Sequence, residues 1–389
     1  MWLDRKLGAR KGKTSSFRRT VTALALGAAL ACPAVLAGGD GSGIAQAIAQ
    51  AIAALQKASQ QTQAAIQKIE QQTQAALGKI IGQSGGGLGQ ALQHTIATME
   101  LIIKEANPNY INPTAGTTAV SGIITWQGLA RSYTIIRPEP ANDDAPVLIL
   151  MHAHGISPAT MANLSEAGRL AHDYGVWVVL PKGENGTWNE NPSSMNSTDD
   201  VGFISSLIDT LVTQEGVDSK RIYAAGYSAG GFMAERLACQ LSSKIAGFVA
   251  VAATLRNSLA TAAQCTPSHV MPVAFIDGTS DLVVPYNGEP SVQSAAAATA
   301  FWAVKNGCTA TAVTTTTLPQ TTKDGTTVAQ TSFTACPAGS AVDLYTVNGG
   351  GHTWPGSPYS VYTAYLGKTS QNLDATLALW QFLTPYSLK

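Results

Sequence analysis

Charge is scarce in this 389-residue chain: only 12% of residues are Asp, Glu, Lys or Arg, and 24 basic residues balance 24 acidic ones. A neutral surface of this kind lacks the basic patch that a phosphate backbone demands, which excludes nucleic acid as a partner. Aromatic residues are also few, at 7%. HExxH is absent, and the His152-x-His154 pair near an early strand end has no third ligand in evident reach, so no metal or organic cofactor is expected. The one long apolar run, "VTALALGAALACPAVLA" (21–37), is too short and too interrupted by Pro33 to span a bilayer. It follows a basic start and ends in small residues, so 1–37 reads as a signal peptide and the protein as secreted, extracellular or periplasmic. Cys32 leaves with that peptide unless it accepts a lipid.

What remains is apolar enough, at 45% hydrophobic residues, for one large domain and something extra. Residues 44–106 are the extra part. They are rich in Ala and Gln and repeat "QQTQAAI" at 60 as "QQTQAAL" at 71. Ile44, Leu55, Ile66, Leu77 and Leu88 follow the same step, which is about three helical turns. This predicts a long amphipathic helix, broken at "SGGGLG" (84–89), with one apolar stripe available for packing, self-association or a polymer surface.

From about residue 118 onward, strands alternate with helices, and that alternation predicts an α/β domain over 118–389 with a mostly parallel sheet covered on both faces. "PVLILMHAHG" (146–155), "VWVVLP" (176–181), "RIYAAG" (221–226), "IAGFVAVAA" (245–253), "VMPVAFIDG" (270–278) and "AVDLYTVNGG" (341–350) are the strands. The Thr-rich stretch 309–335 reads as a hairpin or an irregular excursion. The four cysteines of the mature chain allow three disulfide pairings; Cys239–Cys265 with Cys308–Cys336 closes the shortest loops and is preferred.

Gly226-Tyr227-Ser228-Ala229-Gly230 stands directly between a strand and a helix. A sharp turn there pushes Ser228 out at the carboxyl end of the sheet and needs small residues two before and two after. A serine alcohol is a weak nucleophile and needs a base oriented by an acid. On such a sheet the order along the chain is Ser, acid, His. His352, the only histidine beyond His269, follows three glycines and is the base. Of two aspartates after the preceding strand, Asp281 lies in the loop and is taken as the acid, whereas Asp277 belongs to the strand and is read as structural. The backbone N–H of Ala229 and one from Ala153 or His154 are the expected oxyanion donors, with His152 shaping that loop. Trp188, Tyr227 and Trp354 are candidates for lining the substrate site.

Together "PVLILMHAHG", "GYSAGG", "DGTSDLVVPYNG", "WAVKNGC", "GGGHTWPG" and "LGKTSQNLDATLALWQFL" resemble the secreted polyhydroxybutyrate depolymerase and feruloyl esterase-like group of α/β-hydrolases over about residues 120–384. The resemblance implies Ser228 as nucleophile, Asp281 as acid, His352 as base, and the sequential disulfides. It implies a secreted serine esterase acting on poly(3-hydroxybutyrate)-type polyester or its oligomers, with a feruloyl or acetyl carbohydrate esterase as the alternative. A non-catalytic surface-binding protein that keeps the fold is a more distant one. The chain departs from the family where His152 is followed by Ala153 instead of glycine. Many such depolymerases carry a C-terminal substrate-binding domain; segment 44–106, which also reads as a stalk or helical pair packing on the catalytic domain, is one candidate for that place.

Overall fold

The structure is a computed structural model that describes residues 109–359 and 366–389. The signal peptide and the 44–106 helix expected from the sequence lie outside the described residues. Pro108–Lys389 forms one compact unit.

Its centre is a ten-stranded sheet. Strands β1 (Thr117–Trp126) and β2 (Leu129–Pro138) pair as an antiparallel hairpin. Then come β3 (Val147–Met151), β4 (Trp177–Pro181), β5 (Ile222–Tyr227), β6 (Phe248–Val251) and β7 (Val273–Gly278). The chain finishes the sheet with β8 (Val313–Thr317), β9 (Thr327–Phe333) and β10 (Val342–Asn348). The spatial order is β1-β2-β4-β3-β5-β6-β7-β10-β9-β8. From β4 to β10 neighbouring strands are parallel, and antiparallel pairs close both edges. Every residue of β3 to β7 is buried, as continuous apolar strands covered on both faces must be.

Among the described residues, six α-helices cover the sheet: α1 (Pro158–Leu164), α2 (Gly168–Tyr174), α3 (Asp200–Glu215), α4 (Ala229–Gln240), α5 (Ala295–Lys305) and α6 (Ala375–Leu383). The side chains of each strand alternate between two apolar clusters. Val147, Ile149 and Met151 join α3, α4 and α5 through Phe203, Phe232 and Trp302. Leu148 and Leu150 join α1, α2 and α6 through Met161, Leu170 and Trp380. Each fully buried aliphatic side chain contributes about 1.5–3 kcal/mol, so the two clusters hold the helices to the sheet. Helices α1 and α2 are short and separated by a break at 165–167. Ser165, after the first, folds its hydroxyl back onto the carbonyl of Met161, and Glu166 has positive φ.

The hairpin β1–β2 was not anticipated. Its two-residue turn is Gln127-Gly128, both with positive φ, a conformation that Asn-Gly or Asp-Gly would have advertised more plainly. The Thr-rich segment is a hairpin, β8 paired antiparallel with β9. Disulfides join Cys239 to Cys265 and Cys308 to Cys336.

Candidate active site

Helices α1, α3, α5 and α6 each begin on a Ser or Asp whose side chain accepts a first-turn N–H: Ser157, Asp199, Ser294 and Asp374. Helix α4 begins differently. The residue before it is Ser228, whose side chain makes no cap bond and whose backbone has φ 55° and ψ −119°. That is strained for a residue with a Cβ, and strain of this kind persists only where the surroundings enforce it. Here Ser228 N–H donates to Val251 O at 2.9 Å, and Ser228 O accepts from Gly231 and Phe232 N–H. The turn leaves no room around it. A Cβ on Gly226 would sit 2.2 Å from the backbone of Gly230, and one on Gly230 would sit 2.2 Å from Met151 O.

Freed from capping, the Ser228 hydroxyl lies 2.9 Å from His352 Nε2. On the other side of the ring, Nδ1 lies 2.7 Å from Asp281 Oδ2. Both His352 and Asp281 are buried, and the second oxygen of Asp281 accepts the N–H groups of Val283 and Val284, each at 2.8 Å. The acid is thereby fixed as acceptor, with the imidazole N–H as its donor. The glycines before His352 allow this approach. A Cβ on Gly351 would sit 2.0 Å from Leu366 O, while His352 N–H donates to that same carbonyl. Ser280 N–H donates to Gly350 O at 2.8 Å, so the acid loop and the base loop are laced together through the backbone.

The parallel register of β3 and β5 pairs Met151 with Gly226, so the chain through Ala153 and the turn at Ser228 leave the same end of the sheet. Ala153 is buried and His154 exposed. Ala153 is not among the positive-φ residues, so the missing family glycine imposes no left-handed strain on this loop. Ala229 opens α4, where the first N–H groups of a helix have no partner within the helix and carry the positive end of its dipole.

His152 supports this loop from behind. Its Nε2 accepts from Gly183 N–H at 3.0 Å, and its Nδ1 lies 2.8 Å from Ala153 O, which sets the neutral tautomer with the proton on Nδ1. Burial holds its pKa down to about 4, so both nitrogens are committed and the ring stays uncharged.

The three residues expected to line the substrate site are all buried and engaged in hydrogen bonds within the protein. Trp188 is 1% exposed; its indole N–H donates to His152 O and its ring packs on the His152 ring. Trp354, also 1% exposed, donates to Thr376 Oγ1 and ties the base loop to α6. Tyr227 is 6% exposed, and its hydroxyl donates to His352 O at 2.7 Å. All three position the loops that carry the site. An aromatic residue next to a motif reads the same in sequence whichever way its ring turns.

A further anchor escaped the sequence. Arg131 on β2 donates to Asp200 at 2.6 Å, fully buried and stacked on Phe203, and Asp200 accepts Asn189 N–H through its other oxygen. This pair pins the polar loop 183–199 beside the site.

The phospholipase/carboxylesterase family profile matches residues 134–308. The chain has the α/β-hydrolase fold. Feruloyl esterase B of Piromyces equi is 32% identical over 54% of this chain and 39% of its own length. NocK of Nocardia uniformis subsp. tsuyamanensis, a protein assigned as an esterase, is 26% identical over 74% of this chain and 89% of its own. The bifunctional acetylxylan esterase/xylanase XynS20E of Neocallimastix patriciarum is 27% identical over 41% of this chain. This chain spans only 39% and 23% of the Piromyces and Neocallimastix proteins. An acetyl xylan esterase from Aspergillus awamori superposes with a TM-score of 0.45 at 13% identity, over 64% of this chain and 99% of that one.

Proposed function

We propose that the hydrolase is an exported serine esterase that releases feruloyl or acetyl groups ester-linked to carbohydrate. The observation that carries esterase chemistry is the unbroken relay from Ser228 Oγ to His352 Nε2 and from His352 Nδ1 to Asp281. In this reading His352 takes the Ser228 proton as the hydroxyl attacks the ester carbonyl. The N–H groups of Ala229 and Ala153 or His154 hold the oxyanion, His352 returns the proton to the leaving alcohol, and water resolves the acyl-enzyme along the same route. The carbohydrate substrate is supported by the names of the Piromyces and Neocallimastix relatives. Export is supported by the two disulfides and the leader-like residues 1–37.

A second reading, hydrolysis of a poly(3-hydroxybutyrate)-type polyester, is favoured by one observation. Directly after Asp281, Leu282 and Val283 stand 88% and 53% exposed, an apolar rim suited to a hydrophobic polymer. One experiment separates the readings. Protein from residue 38 onward and its Ser228→Ala variant are assayed on methyl ferulate, on acetylated xylan and on a poly(3-hydroxybutyrate) suspension. Release of ferulate or acetate that drops by at least about 10⁴-fold in Ser228→Ala is expected. Clearing of the suspension alone moves the substrate to polyester. Activity unchanged in Ser228→Ala overturns the serine mechanism.

A further inference from the structure

Four Asn-Gly pairs occur in the chain: Asn185-Gly186, Asn287-Gly288, Asn306-Gly307 and Asn348-Gly349. Glycine has no Cβ, so its backbone nitrogen can approach the carboxamide of the asparagine before it and attack the carboxamide carbon. The fold treats the four pairs differently. Asn306 is buried, and its carboxamide donates to Met271 O and accepts Met271 N–H. Asn348 ends β10, where its carboxamide donates to Thr327 Oγ1 and Gly349 N–H donates to Thr279 Oγ1 at 2.9 Å. Asn287 is exposed, but Pro285 O holds Gly288 N–H at 2.8 Å.

Asn185 has the least protection. It is exposed, and its carboxamide makes no hydrogen bond among the described residues. Gly186 N–H reaches Gly183 O at 3.2 Å, the longest bond made by the four glycine nitrogens. Asn185 alone of the four asparagines has positive φ, at 53°. That conformation is strained for a residue with a Cβ, so local opening of the turn relieves strain as it frees the glycine nitrogen.

The pair closes the one-turn 3-10 segment Glu184–Gly186, which braces a loop of the candidate site. Gly186 O accepts Gly155 N–H at 2.9 Å, and a Cβ on Gly186 would lie 3.9 Å from Gly155 Cα. Gly155 directly follows Ala153 and His154, the candidate oxyanion donors. At the other end of the segment, Gly183 N–H donates to His152 Nε2. A change of backbone length at 185 therefore reaches the oxyanion loop through two hydrogen bonds.

We propose that Asn185 is a site of spontaneous deamidation, and that the isoaspartate formed there loosens the oxyanion loop and lowers turnover. Gly186 N attacks Asn185 Cγ and gives up its proton, and the carboxamide nitrogen leaves as ammonia. A cyclic imide remains. Water is the only co-reactant: it adds to one imide carbonyl and breaks that carbonyl's bond to nitrogen. Opening at the side-chain carbonyl gives aspartate. Opening at the main-chain carbonyl gives isoaspartate, which carries a free carboxylate and routes the chain through the side-chain methylene. Nothing is oxidised or reduced. The effect on turnover rests on the esterase reading; the modification does not.

The test ages the full-length protein at pH 8 and follows all four pairs by peptide mapping and mass spectrometry, with a urea-denatured sample alongside. In the folded protein Asn185 should convert before the other three and at least about tenfold faster than Asn306, whereas the denatured chain should convert all four within about threefold of one another. The kcat for ester hydrolysis should fall in step with isoaspartate at 185, roughly tenfold at full conversion, with KM little changed. Asn185→Gly tolerates positive φ and has no carboxamide, so it should start at wild-type activity and keep it. Asn185→Asp adds the charge without lengthening the backbone and should stay within about threefold of fresh wild type. Conversion of another pair before Asn185 overturns the site. Isoaspartate at 185 with turnover unchanged, or an ageing loss that Asn185→Gly shares, overturns its consequence. Asn185→Asp as slow as the aged enzyme overturns the lengthened backbone as the cause. Fresh protein that hydrolyses no ester sinks the esterase reading and leaves the mass-spectrometric result standing.

Discussion

The hydroxyl of Tyr227 donates to His352 O, so the residue beside the serine holds the loop that carries the imidazole. Its ring also stacks against the His352 and Trp354 rings. Tyr227→Phe keeps the packing and removes the bond. It should lower kcat roughly tenfold with KM little changed, since the loss falls on the geometry of proton transfer and not on substrate contact; a steady-state comparison checks this. His152 makes a prediction in stability. Its unfolded value is near 6.5 and its folded value about 4, so the unfolded chain binds the extra proton between them. Its contribution is complete above pH 6.5 and is lost as pH falls towards 4, to the extent of about 3 kcal/mol. Denaturant titrations of wild type and His152→Gln at several pH values check it: the variant should show the shallower acid loss.

At the scale of elements, the turn at Ser228 and the Arg131–Asp200 pair join different parts of the fold. Ser228 can hold φ 55° because β5, α4 and β3 meet with two glycines at the contact. Gly226→Ala forces a Cβ into the first turn of α4, and a rigid backbone cannot give way. A loss of about 3 kcal/mol or more is expected, visible as insoluble expression or a Tm lowered by many degrees. Arg131 and Asp200 are both nearly unexposed, so removing one partner strands the other. Burial already pushes the Asp200 carboxyl up, and its hydrogen bonds with Asn189 and Arg131 pull it back only in part. Arg131→Met should therefore destabilise by about 3–5 kcal/mol, and Arg131→Met/Asp200→Leu should recover most of it. A double-mutant cycle by chemical denaturation measures both.

For the whole molecule, the disulfides close segments of 26 and 28 residues. Loops of that length limit the unfolded chain by about 3.5 kcal/mol each on a chain-entropy basis. Reduction should lower the denaturant midpoint markedly, and Cys308→Ala/Cys336→Ala should cost less than Cys239→Ala/Cys265→Ala. The latter bond lies in the core, whereas Cys308 and Cys336 border the exposed β8–β9 hairpin.

The sequence by itself determined the alternation of buried strands with helices, the strand–turn–helix setting of Ser228, and the chain order of serine, acid and histidine. These are local facts: apolar runs, glycine spacing and position after a strand are written in neighbouring residues. Burial of Trp188, Trp354 and Tyr227 and the ion pair of Arg131 with Asp200 across 69 residues were decided only by the tertiary structure. Each depends on which face of a strand or helix meets which other element, and a side chain's own neighbours in sequence carry no record of that.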